Sequence, residues 1–127
     1  MAETSITPEL LKEVFSALNT YLEEHYAPGE AHYFFQKSRE KILPYFHQLE
    51  QFKLTDDGQL HIETSRLDDG VVLAFAVWLQ QFMKEVRAEM IGLPLPDIET
   101  LTESHQAPLE AAGFYEFFQQ ASELEYE

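Results

Sequence analysis

The sequence predicts a mainly α protein: a small helical bundle of about four main helices with an inserted β-hairpin. Three observations carry this. Apolar residues recur at helical spacing in long stripes. One short stretch alternates instead, around Asp56-Asp57-Gly58. Apolar residues make up 45% of the 127-residue chain and aromatics 13%, enough to fill a core and offset the entropy of ordering. The chain is read as a single acidic helical domain spanning 1–127, with no repeat, low-complexity tract or internal boundary.

The first helix starts at Thr7-Pro8-Glu9. Threonine can cap the first turn, proline suits the first helical position, and Glu9 favours the positive helix end. Leu10, Leu11, Val14, Phe15, Leu18, Tyr21 and Leu22 form its apolar stripe, and Ala27-Pro28-Gly29 ends it. A second stripe runs in one phase through Ala31, Phe34, Phe35, Ser38, Ile42, Tyr45, Phe46, Leu49 and Phe52. Pro44 interrupts it, and because the phase persists the expectation is one kinked helix rather than two unrelated ones. Phe52, Leu54, Leu60 and Ile62 then alternate with polar residues about the Asp-Gly pair, which signals a hairpin.

Asp68 or Asp69 can cap the next helix, which is apolar on every side from Val71 to Leu79 and so forms the centre of the fold, then turns amphipathic from Gln80 to Glu89. Gly92 and Pro94 stop it, and Leu93 to Pro96 form an extended connector. A short helix is expected over 97–104. Pro108 starts a last helix carrying Leu109, Ala112, Phe114, Phe117, Phe118, Ala121 and Leu124, which Gly113 can split in two. Expected core residues are Leu18, Phe34, Phe35, Ile42, Phe46, Val72, Phe75, Trp78, Leu79, Phe82 and Phe118.

Charge narrows the function classes. Net charge is −15, which disfavours direct binding to nucleic-acid phosphates or anionic lipid and favours a basic partner. After Arg87 no Lys or Arg occurs, while Glu89, Asp97, Glu99, Glu103, Glu110, Glu116, Glu123, Glu125 and Glu127 do. The plain reading is a solvated acidic face; the sharper one is an acidic docking surface. No stretch suits a bilayer span or a signal peptide, and there is no cysteine, so the expectation is a cytoplasmic protein without disulfides or thiolate metal sites.

Catalytic and metal motifs do not emerge. His25, His32, His47, His61 and His105 include no i, i+4 pair, and no Glu-x-x-His of the di-iron type occurs. His32 lacks the Lys spacing and the Gly of a phosphotransfer domain. No serine sits in a Gly-x-Ser-x-Gly elbow, and no glycine loop would cradle a phosphate. Asp56-Asp57 and Asp68-Asp69-Gly70 suit turns and caps rather than a calcium loop. No cofactor is expected, and the balance is against an enzyme.

Adjacent aromatics cannot all face one core from a helix, so Tyr33 and Tyr115, with Phe114 or Phe117, should lie on flanks. Lys37, Arg39 and Lys41 form a basic ridge that can meet the acidic C-terminal segment. The leading expectation is therefore a non-catalytic protein-interaction or regulatory module. Its candidate surface comprises Tyr33, Tyr115, Glu99, Glu103, Glu110 and Glu116, and its partner is another protein or a second copy of the chain, with no direct nucleic acid and no membrane. Two alternatives are a small-molecule sensor or enzyme with an aromatic pocket between helices, and a nucleic-acid mimic that occupies a basic cleft on another protein.

Overall fold

The computed structural model describes residues 7–25, 30–55, 58–63, 67–89 and 95–123. Among them are six α-helices and one antiparallel hairpin: α1 (Pro8–His25), α2 (Glu30–Ile42), β1 (Phe52–Leu54), β2 (Leu60–Ile62), α3 (Asp69–Glu89), α4 (Ile98–Leu101), α5 (Gln106–Ala111) and α6 (Phe114–Ser122). Two short 3-10 turns, His47–Gln51 and Glu103–His105, join β1 and α5 to what precedes them. The mainly α bundle with an inserted hairpin is what the stripes required.

α3 is the centre. Residues 71 and 72 and all those from Ala74 to Leu79 are buried, as a helix apolar on every side must be. Asp68 Oδ1 accepts the Val71 N–H at 2.9 Å, so Asp68, rather than Asp69, caps it. α2 packs antiparallel to α3: Phe35 stacks on Phe82 at 3.9 Å between centroids, while three residues further along α2 Ser38 meets Trp78. On another flank α6 runs in the same direction as α3, with Phe114 beside Phe75 and the Phe118 carbonyl accepting from Gln80 at 3.0 Å. α1 closes the bundle over Phe35 and Trp78 through Phe15, and Thr7 Oγ1 accepts the Leu10 N–H as its cap.

Trp78 is fully buried against Phe15, Phe35, Phe52 and Phe75. Its indole N–H donates to the Phe35 carbonyl (3.0 Å) and to Ser38 Oγ (3.1 Å), and Ser38 in turn donates to the Phe34 carbonyl. Ser38 therefore occupies a core position of the second stripe as a satisfied polar group.

The second stripe needs a correction. Pro44 breaks the helix instead of kinking it: α2 ends at Ile42, a turn follows, and a 3-10 turn begins at His47. Proline has no N–H for the carbonyl of Glu40 and disfavours helical geometry at Leu43. The Tyr45 and Phe46 amides fall back on the Ile42 carbonyl instead. Leu49 and Phe52 still reach the core, Phe46 is half-buried, and Tyr45 stands 47% exposed. Phe118, like Phe46, is half-buried rather than central, while Phe114 is fully buried.

The hairpin pairs Phe52 with Ile62, Lys53 with His61 and Leu54 with Leu60. Backbone bonds link Glu63 to Gln51 and Thr55 to Gln59, so by the antiparallel alternation the Phe52 and Ile62 peptide groups point away from each other. Gly58 has φ +82°, the left-handed region that glycine enters without strain, and its amide bonds the Thr55 carbonyl. Asp56 and Asp57 lie outside the described residues, as do the expected helix stops at 27–29 and 92–94, Met90, Leu93 and Leu124.

Arg39 fastens this insertion to α2. Its Nε donates to the Phe52 carbonyl at 2.8 Å and its Nη2 to the Leu49 carbonyl at 3.2 Å. Burial pulls the guanidinium below its ordinary range, with Glu50 and Glu40 pulling it back up.

Asp97 caps α4 by accepting the Thr100 N–H at 3.0 Å, and the Thr100 hydroxyl together with that amide holds its carboxyl below the usual range. Gly113, at φ +82°, separates α5 from α6, so the last apolar stretch is two short helices.

Candidate functional site

The acidic C-terminal segment folds as a strap, α4 to α6, across α1 and α3. Ile98, Leu109, Phe114 and Ala121 anchor it in the core, and this anchoring turns the intervening carboxylates outward. Glu99, Glu103, Glu110 and Glu116 are all exposed. No described Lys or Arg forms an ion pair with any of the four.

Tyr115 joins the strap to itself. Thr102, buried, donates its hydroxyl proton to the Ile98 carbonyl at 2.7 Å, so its oxygen accepts the Tyr115 O–H at 2.6 Å. Burial raises the Tyr115 phenol above its ordinary pKa, and the nearby Glu99 and Glu110 carboxylates raise it further. A raised phenol pKa means the folded state holds that proton more tightly than the unfolded chain does. The resulting stability is present below the ordinary tyrosine pKa near 10 and is lost as pH rises through the higher folded value. Tyr115→Phe should therefore flatten the alkaline limb of the stability–pH curve, measured by urea unfolding from neutral pH to about pH 11. An unchanged slope would count against the burial and the neighbouring carboxylates raising the Tyr115 phenol.

Tyr33 sits elsewhere, on α2. Half of its surface is exposed, and the Lys37 ammonium lies 5.6 Å from its ring centroid. Lys37 also pairs with Glu89, which raises its pKa, and lies 3.8 Å from Glu85. The basic ridge of α2 thus meets the acidic segment at Glu89, through Lys37, while Arg39 turns inward. The expected surface falls into two parts: Tyr115 with Glu99 and Glu110 on the strap, joined along it by Glu103 and Glu116, and Tyr33 beside Lys37. No observed contact links them.

Between strap and helices the surface is grooved. Tyr115, Phe118 and Met83 line an open groove of about 280 Å³ that also receives Arg87, Asp97 and Glu99. A second groove, about 390 Å³, separates α1 from α4 and the following turn. A third, about 400 Å³, continues it toward Thr7 and α5. Glu13 and His105 line both of these, with His105 Nε2 3.3 Å from Glu13 Oε1. Ser16 and Ser104 share the second groove, but the described hydrogen bonds link neither hydroxyl to the imidazole, so no nucleophile–base pair is formed there. Among the described residues no group of three His, Asp or Glu side chains converges as metal ligands, and no helix is long and apolar enough to cross a membrane.

Sequence reasoning missed one polar site. Gln81 and Glu85 are buried on the α2-facing flank of α3; Gln81 donates to Glu85 Oε2 at 2.7 Å, while Glu85 Oε1 has no hydrogen bond. The i, i+4 spacing was visible in the sequence, but nothing there marked these two for burial. Compared with known proteins, the chain matches no family model, no curated protein and no solved structure.

Proposed function

We propose that the chain is a non-catalytic protein-interaction module that presents its acidic strap to a basic partner. The observation that supports this most is the strap's construction. Apolar residues fasten it to the core, and Glu99, Glu103, Glu110 and Glu116 face solvent without an ion pair to Lys or Arg among the described residues. A field of one sign steers an oppositely charged surface and weakens with salt. Cross-linking and affinity capture with the full chain should yield a partner with a basic surface, released by raised salt and lost when the four glutamates become glutamine. Finding neither a partner nor self-association would end this reading.

A small-ligand site is the second reading, supported by the Tyr115 groove, whose lining includes the aromatic rings of Tyr115 and Phe118 and the Arg87 cation. A ligand screen by thermal shift, repeated on Arg87→Gln, tests it; no stabilising compound, or stabilisation unaffected by Arg87→Gln, would remove it.

A further inference from the structure

We infer that the trough between α1 and the strap is the seat of a cationic amphipathic helix contributed by another protein; this rests on the interaction-module reading and deepens it.

The trough follows one row of α1. Leu10, Glu13, Ala17, Tyr21 and Glu24 are spaced three or four residues apart, so they lie on one face, away from the Leu11, Val14, Leu18 and Leu22 that fill the core. Over the row's fourteen-residue rise α1 covers about 21 Å, the length of about four helical turns. The two grooves of about 390 and 400 Å³ meet end to end at the Glu13–His105 pair, so the depression is elongated and open, unlike a closed small-molecule cavity.

Its chemistry selects the occupant. The floor carries an apolar row, with Leu10, Ala17, Tyr21 and Leu101, interspersed with serine and threonine hydroxyls, and the rim is acidic, with Glu9, Glu13 and Glu24; among the described residues no Lys or Arg lines either half. A helix with apolar side chains at i, i+3 or i+4 and i+7, flanked by Lys or Arg, meets both demands. Nucleic acid and anionic lipid are repelled. A second copy would bring another −15 charge and the same carboxylates to the seam. At the midpoint an incoming ammonium or guanidinium would take Glu13 from His105.

The test uses a fluorescein-labelled peptide of roughly fourteen Leu and Lys residues with leucine on one helical face, read by anisotropy at roughly 150 mM salt. Ala17→Trp with Ala111→Trp fills the trough without changing charge. Glu13→Gln with Glu24→Gln strips the rim, and Glu116→Gln with Glu123→Gln makes the same charge change on α6. The expected result is a loss of about tenfold or more in affinity for the filled trough, and a larger loss for the rim pair than for the α6 pair. Circular dichroism checks the fold; should the tryptophan pair misfold, the comparison of the two glutamine pairs decides alone, since all four side chains are exposed. Equal losses for the two glutamine pairs, with the filled trough unaffected, would overturn the trough and leave the acidic-strap reading standing. No binding at all overturns the trough, and if affinity capture also finds no basic partner, both readings fall. A dimer in sedimentation that Ala17→Trp dissolves would replace the cationic helix by a second copy.

Discussion

Trp78→Ala is expected to lower the unfolding free energy by about 3–5 kcal/mol, the range for removing a large buried aromatic side chain. Trp78 packs against four aromatic rings from α1, α2, β1 and α3, so its removal empties a place where these elements meet. Trp78→Phe separates packing from hydrogen bonding. It should cost about 1–3 kcal/mol, because the groups it abandons keep other partners. The one Ser38 hydroxyl proton still lies within reach of both the Phe34 carbonyl at 2.7 Å and the Phe35 carbonyl at 3.1 Å. Urea unfolding followed by far-UV circular dichroism gives the order. If the alanine variant loses no more than the phenylalanine variant, the indole does not hold the core together.

Arg39→Met is the second large effect, at about 2–4 kcal/mol, from the loss of two hydrogen bonds made by a charged donor. Methionine keeps much of the apolar stem, so the loss isolates the guanidinium. The Phe52 carbonyl faces away from β2 and has no ladder partner, so removing Arg39 leaves it short of a donor. Arg39→Lys should recover only part, because a single ammonium does not reproduce the fork that spans both carbonyls. Hydrogen exchange supplies a local check. The Thr55 and Glu63 amides, which close the ladder, should exchange faster in Arg39→Met, while the interior amides of α1 keep pace with the global stability. Uniform acceleration across the chain would show that Arg39 does not fasten the hairpin in particular.

Sequence periodicity was informative where one element decides its own environment. The apolar run from Val71 to Leu79 had to be central whatever packed on it, and Thr7 and Asp68 cap their helices through bonds three residues away. It was less informative where two elements decide together. The stripe through Leu49 and Phe52 kept helical phase because both residues face the core, yet Pro44 had already ended the helix; phase records which side is inside, not whether the backbone is continuous. Arg39 looked like one of three basic ridge residues, and only the return of β1 beside α2 gives it carbonyls to bind. The acidic half of the candidate surface was legible as composition. The trough was not, because Leu10 and Tyr21 belong to the apolar stripe of α1 and stay half-buried only where the distant strap stands off from them.

α6 also bears on how the chain comes off the ribosome. Phe114 and Ala121 cover a flank of α3 that is made some forty residues earlier, and α6 reaches it only after the strap has crossed α1. Until that stretch has emerged, nascent α1 to α3 carry an uncovered oily seam beside Phe75. The Glu-rich strap arrives with the plug, so the segment that seals the seam also deepens the negative charge that residues 1–87 already carry.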